Sequence, residues 1–443
     1  MNNRFKYILN SARQALLRPY FGFIHGHAYL HKDDWIKIKS LVGLKSDDVT
    51  DVFESQFARL VGEGEAVSYA AARMGFYELM RHLRITKDNE IILLGSTCAV
   101  MVNAVIRVGA TPVFSDIDPE TYGSSAGEIV KHITQNTKMI VAQHSFGIPC
   151  DIEKIVELAK ERKIFLLEDC ALTLGSKMNG ITVGNFGDAA IFSTDHSKPL
   201  NTMIGGLIYT KNHLLASHLK VTQAKLPSLS KSRQLALLRR IMIESHYSNP
   251  SYYGRLGLIN IYEIIRKKYF GGNRDFLDED SGVDEAFSYP YPSKLPPFLA
   301  KIGLFEIARW KDVKQERKEL LSSLILTFVE SNVSSPLPQC YANLKLDIVP
   351  LRLAWHFEYT EDVEQKINSL FDEDWVWFRA PIIATNVSLE VLGYRKGNCP
   401  VAERIGPQMF NIPCNVPAKF HNNLIESVEG VFSEKFLKKR SRI

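Results

Sequence analysis

Between residues 67 and 210 the chain alternates short, β-rich apolar runs with segments of helical spacing, and nothing else in it constrains the fold as tightly. "SYAAARMGFYELMRHLRI" carries apolar residues at helical spacing. "EIILL" is a short apolar run, "STCAVMVNAVIRVG" reads as helix and "TPVFSDID" as strand. "SAGEIVKHI" is helical, "KMIVAQHS" a strand, "DIEKIVELAKERK" an amphipathic helix, and "IFLLED", "DAAIFS" and "GGLIYT" are strands. Strands buried on both faces read as continuous apolar runs, and helical crossovers let neighbouring strands run parallel. The pattern predicts an α/β fold with a mainly parallel sheet flanked by helices.

Beyond residue 210 the alternation weakens. Helical stretches appear at "RQLALLRRIMIESH" and "INIYEIIRKKY", and "GGNRDFLDEDSGVDEAFSYPYPSKLPP" has the Gly, Asp and Pro content of a long loop. A long helix follows in "FLAKIGLFEIARWKDVKQERKELLSSLI". It suits a spine joining two domains. After it come "LDIVPLRLAW", a helix near "EDVEQKINSLF", the run "DWVWFR" and a closing helix near "FHNNLIESVEGVF". The expected organisation is an N-terminal segment over 1–60, a large domain over 61–315 with a variable stretch at 211–290, and a smaller α+β C-terminal domain over 316–443.

Charge and cysteine usage narrow the function classes. A net charge of +5, much of it in the tail "KFLKKRSRI", is too mild to indicate nucleic acid or a membrane surface, though it suits an anionic small substrate. Six cysteines without C-x-x-C spacing form neither a zinc pattern nor a disulfide framework. The N-terminus has no long apolar core of a signal peptide, and no apolar run is long enough to span a bilayer. The expectation is a soluble, cytoplasmic protein with no nucleic-acid or membrane partner.

The chemistry gathers at two strand ends. Asp169 closes "FLLED", and Lys198 follows "DAAIFS" in "FSTDHSKPL". Ligands of open α/β sheets bind beyond the carboxyl ends of the strands. A lysine and an acid meeting there form either a plain buried ion pair or a cofactor site. In the second case the lysine forms a Schiff base with pyridoxal 5'-phosphate (PLP) and the acid keeps the pyridine nitrogen protonated. Ser193 is placed to meet the phosphate, as are the backbone and guanidinium at the start of "AAARMGFYELM".

Several motifs occur together and in order: "STCAVMVNAVIRVGATPVFSDIDPETYG", "HSFGIPCDIEKI", "LLEDCALTLGSKMNGITVGNFGDAAIFS", "FSTDHSKPLNTMIGGLIYT" and "CPVAERIGPQMFNIPCNV". In these the chain resembles the DegT/DnrJ/StrS family of PLP-dependent sugar aminotransferases, which have the fold type I architecture of aspartate aminotransferase. The resemblance makes 61–315 the PLP-binding domain. It implies an amino transfer, by family habit from glutamate, to a nucleotide-linked keto-sugar within a homodimer.

Carried over by position, the resemblance makes Lys198 the Schiff-base lysine, Asp169 the partner of the pyridine nitrogen and Ser193 a phosphate ligand. The family's phosphate turn falls on Ala71, Ala72 and Arg73, so Ala72 and Arg73 supply backbone donors and Arg73 adds charge. Cys98 falls at or near the position of a ring-stacking aromatic, where a small core residue is an equal reading. Lys294 takes the place of an arginine that reaches the neighbouring subunit's cofactor; a surface lysine is the alternative. Leu172 stands where the family carries a polar residue, and the change around Cys414 and Asn415 replaces a histidine. His144 is either near the site or structural, and His196 is either a proton shuttle or a solvated loop residue. Two other functions stay open: a PLP-dependent sugar dehydratase, and a non-catalytic PLP-fold protein that binds or regulates a partner.

Overall fold

A computed structural model describes residues 26–44, 48–247, 277, 289–331, 336–359, 363, 378–379, 381–385 and 387–440. The expected helices at 259–269 and 361–371, the run at 374–377 and most of the loop at 271–297 lie outside the described residues.

The alternation resolves into seven strands: β1 (Glu65–Tyr69), β2 (Glu90–Leu94), β3 (Thr111–Ser115), β4 (Thr137–Gln143), β5 (Phe165–Asp169), β6 (Ala189–Ser193) and β7 (Gly206–Thr210). They form one sheet in the order β1-β7-β6-β5-β4-β2-β3. Six strands run in one direction and β7 runs against them, antiparallel to both β1 and β6. Strands β2, β5, β6 and β7 bury every residue but at most one end residue each, as their uninterrupted apolar sequences require.

Helices α1 (Lys32–Ser40), α2 (Asp48–Val61), α3 (Ala72–His82), α4 (Ala99–Val108), α5 (Ile152–Arg162), α6 (His213–Ala224) and α7 (Lys231–Tyr247) accompany the sheet. The expected helix from Ser68 is corrected: it starts at Ala72. Ser68 and Tyr69 instead pair with Leu207 and Gly206 of β7, and the Ser68 N–H and hydroxyl both donate to the buried Glu54 carboxylate. Ile38, Phe53 and Phe57 bury α1 and α2 in the main core.

Helix α8 (Pro297–Glu330) is 34 residues long. Its first half, through Phe298, Leu299, Ile302 and Trp310, packs in the main core. Its second half, through Leu320, Leu321, Leu324 and Phe328, packs in a separate core. That core also holds β8 (Arg352–His356), β9 (Met409–Pro413) and α10 (His421–Arg440); a short helix α9 (Pro400–Ile405) precedes β9. β8 and β9 pair antiparallel, so the "LDIVPLRLAW" strand runs only from Arg352, with a two-residue strand at Leu346–Asp347 before it. No helix among the described residues is long and apolar enough to cross a membrane.

Candidate active site

Strand direction gathers the site. The carboxyl ends of β1, β5 and β6 and the amino end of antiparallel β7 share one sheet edge. There Tyr69 stands opposite Gly206, Gly206 opposite Ser193, and Ile191 opposite Asp169. A Cβ on Gly206 would come within 2.3 Å of the Ala72 Cα and 2.5 Å of its nitrogen. Only a residue without a side chain lets the start of α3 seat against this edge.

Lys198 lies on the loop joining β6 to β7. The loop is closed by its own backbone: Thr194 N–H donates to Gly205 O, His196 N–H to Met203 O, and Lys198 N–H to Asp195 O, each within 3.2 Å. The Thr202 hydroxyl, fully buried, bonds Thr194. Burial pushes the Lys198 ammonium below its usual pKa; Asp195, Cys98 and Asp169 pull it back up, and Arg352 adds to the fall. Burial pushes the Asp169 carboxyl up, against the Ala171 N–H, Lys198 and His144. The Ala171 N–H reaches Asp169 Oδ1 at 2.9 Å.

The structure brings Arg73, Cys98, Asp169 and Lys198 into one electrostatic cluster and places Ser193 and Ala72 on its edge. Cys98 lies immediately before α4, and burial raises its thiol pKa. Ser193 Oγ accepts the Asp195 N–H at 3.4 Å. Arg73 is buried and donates to the Leu277 carbonyl. Helices α3 and α4 both start here without a side-chain cap and with no acid in the first turn, so their positive ends face the cluster unneutralised.

Lys294 lies on a loop anchored to the Ala70–Arg73 turn of its own chain. The neighbouring Ser293 carbonyl accepts the Ala70 N–H at 3.0 Å, and the Tyr291 hydroxyl donates to the Arg73 carbonyl. The Lys294 N–H donates to Pro227 O. Leu172 is buried beside the site.

His144 is a structural residue under Asp169. Its Nδ1 accepts the Cys150 N–H at 3.1 Å, which leaves Nε2–H to donate to Glu168 at 3.1 Å. Glu168 also takes the N–H groups of Gly184, Phe186 and Gly187. His144, Glu168 and Cys170 stand close enough to hold a metal ion. However, both Glu168 oxygens are already engaged twice, so the carboxylate serves the fold. His196 is bonded to Asp195 at 2.5 Å with a side chain 17% exposed, which sets aside the solvated-loop reading.

Sequence reasoning missed two members. Asp195 lies three residues before Lys198 in the same stretch, and His196, Lys198 and Arg73 hold its carboxyl low against the opposing effect of burial. Arg352 was read only as part of an apolar strand. An arginine inside such a run, here fully buried with Nη1 on Asn411 at 2.6 Å, was the available signal.

A mainly parallel, helix-flanked sheet with a lysine and a buried acid at its carboxyl edge is the fold type I architecture. Residues 42–236 match the model of the DegT/DnrJ/EryC1/StrS aminotransferase family. It is 39% identical over 163 residues to a GDP-perosamine synthase of Escherichia coli O157:H7, a stretch that is 37% of this chain and 45% of that relative. The chain thus spans about half the length of curated relatives it matches. A longer, weaker match, 25% identical over 86% of this chain and 87% of the relative, is to the spore coat polysaccharide biosynthesis protein SpsC of Bacillus subtilis strain 168. Among solved structures, Spr1654 from Streptococcus pneumoniae in its PLP form superposes with a TM-score of 0.65 at 18% identity, over 94% of this chain and 98% of that one.

Proposed function

We propose that this chain is a PLP-dependent aminotransferase that moves an amino group, from glutamate, onto a nucleotide-linked keto-sugar. The observation that carries the reading is the partly buried Lys198 close to the buried Asp169 at the carboxyl edge of the sheet. The match to the family model and the similarity to the GDP-perosamine synthase of E. coli support it.

The donor set suits the cofactor. A partly buried amine, a nearby buried carboxylate, a buried guanidinium and two uncapped helix N-termini match an aldehyde, a pyridinium and a phosphate. Lys198 would hold the aldehyde carbon, Asp169 the ring nitrogen, and Ser193, Ala72 and Arg73 the phosphate, with Cys98 beside the ring. When bound, the cofactor supplies an electron-withdrawing ring that stabilises negative charge at the reacting carbon.

The chain's own part is to place protons and exclude water. Burial lowers the Lys198 pKa, so more of its amine is neutral near pH 7 than for an exposed lysine. Nζ can then take a proton from one carbon and return it to another. Asp195 limits that fall and keeps the returning proton available. Asp169 keeps its charge paired inside a low-dielectric site, where it acts more strongly than in water.

The reading includes a two-fold homodimer, with Lys294 approaching the neighbour's cofactor phosphate or an anionic substrate. Mixing inactive Lys198→Ala and Lys294→Ala subunits should restore part of the activity through hybrid dimers. No recovery after proven exchange would sink the arrangement. The activity itself is tested by screening keto-sugar nucleotides with glutamate as donor. Glutamate-dependent amination of at least one supports the reading; cofactor-loaded protein that aminates none of them counts against it.

A further inference from the structure

The loop that carries Lys198 is gripped from outside at one residue. Asn201, three positions after the lysine, is buried, and distant parts of the chain take both of its backbone polar groups. Its carbonyl accepts the His27 Nε2–H at 2.7 Å. Its N–H donates to Glu306 Oε2 of α8 at 3.4 Å. A carbonyl can only accept, so His27, itself fully buried, carries a proton on Nε2. The same N-terminal arm steers Glu306. The Tyr29 hydroxyl donates to Glu306 Oε1, and Arg309, one turn along α8, lies 4.1 Å over the Tyr29 ring and reaches that oxygen at 3.5 Å. Burial and the Glu306 carboxylate hold the Tyr29 phenol above its usual pKa, so the hydroxyl keeps the proton it donates.

Further bonds carry the grip from Asn201 to the lysine. Asn201 Oδ1 accepts the Met203 N–H at 2.8 Å, and Met203 has a φ of +72°, a left-handed conformation that a side chain disfavours. The Met203 carbonyl accepts the His196 N–H at 3.2 Å, and the Asp195 carbonyl accepts the Lys198 N–H at 3.0 Å. A connected path thus runs from His27 to the turn on which Lys198 sits. A loop held by few bonds opens locally when its outer anchor is lost. A small misplacement of a reacting group then lowers the rate without changing the chemistry.

We propose that His27 and Tyr29 are positioning residues: the N-terminal arm clamps Asn201, directly at its carbonyl and through Glu306 at its N–H, and so fixes the loop that presents Lys198 to the cofactor. The proposal rests on the transferase reading for its effect on catalysis, whereas the clamp itself is measurable without a substrate.

The test is hydrogen exchange of full-length, cofactor-loaded protein, with glutamate half-reaction kinetics beside it. In His27→Leu the amides of 194–203 should exchange about 10-fold faster, the factor that one lost hydrogen bond is worth. Those of β5 should keep wild-type rates. The limiting rate at which glutamate converts the cofactor should fall about 10-fold, with the half-saturating glutamate concentration changed less than about two-fold. His27→Gln, whose amide N–H can reach the same carbonyl, should restore part of both. Wild-type exchange at 194–203 in His27→Leu, acceleration that is equal in β5, or a loosened loop with an unchanged limiting rate would each overturn the proposal. If His27→Leu does not fold, Tyr29→Phe decides, because it removes one hydroxyl from a half-buried ring: wild-type exchange and rate there overturn the clamp. Should 194–203 loosen in His27→Leu while no amino acid converts the wild-type cofactor, the transferase reading fails and the clamp stands.

Discussion

Asp169→Asn should lower the rate at which glutamate converts the bound cofactor by on the order of 10²–10³-fold, the usual cost of removing one preorganised electrostatic group. The substitution is close to isosteric. It keeps the acceptor oxygen for the Ala171 N–H, so the turn after β5 should survive. What it removes is the charge. Asp169 is buried, its carboxylate faces Lys198 and His144, and the Asp169 carbonyl accepts the His144 N–H at 3.0 Å. In that dry setting an amide cannot hold a cationic ring nitrogen as a carboxylate does. The measurement is single-turnover absorbance with matched cofactor loading. A wild-type rate in Asp169→Asn would show that the ring nitrogen is held elsewhere.

Glu168→Ala should destabilise the fold far more than Asp169→Asn, although the two residues are adjacent. Glu168 is fully buried, and its oxygens accept the N–H groups of Gly184 and Phe186 at 2.7 Å, Gly187 at 2.8 Å and His144 Nε2 at 3.1 Å. Alanine leaves four donors without this acceptor, two of them buried and two part-buried. Each buried donor left unsatisfied costs about 1–3 kcal/mol. The expected result is a urea midpoint well below that of the wild type with an unchanged slope. Glu168→Gln should lie between, since it keeps one acceptor oxygen. A midpoint for Glu168→Ala within experimental error of the wild type would contradict this role.

These adjacent acids illustrate what the sequence made legible. Both end an apolar strand, and alternation puts them on opposite faces. The sequence pointed to Asp169 at the strand end, whereas the engagement of Glu168 with the loop at 184–187 came only from the structure. Lys198 and Ser193 were legible because they end a recognisable strand. Asp195 was not, because a loop acid acquires meaning only when Thr194, Gly205 and Met203 fold the loop over it. The start of α3 was misread for a different reason. Ser68 and Tyr69 fit a helical pattern locally, and only their pairing with β7, distant in sequence, makes them strand. The reversal of β7 is likewise a long-range property that its apolar composition does not encode. His27 and Tyr29 read as ordinary residues of "GHAYL" until α8 and the Lys198 loop fold against them.

The central claim is that Lys198 carries the cofactor. Borohydride reduction of cofactor-loaded protein, followed by peptide mapping, tests it most directly. The account predicts a pyridoxyl group on the peptide containing Lys198, and none in Lys198→Ala, which should still bind the cofactor through the Asp169 and phosphate contacts. A pyridoxyl group on another lysine, or no label on loaded wild-type protein, would contradict it.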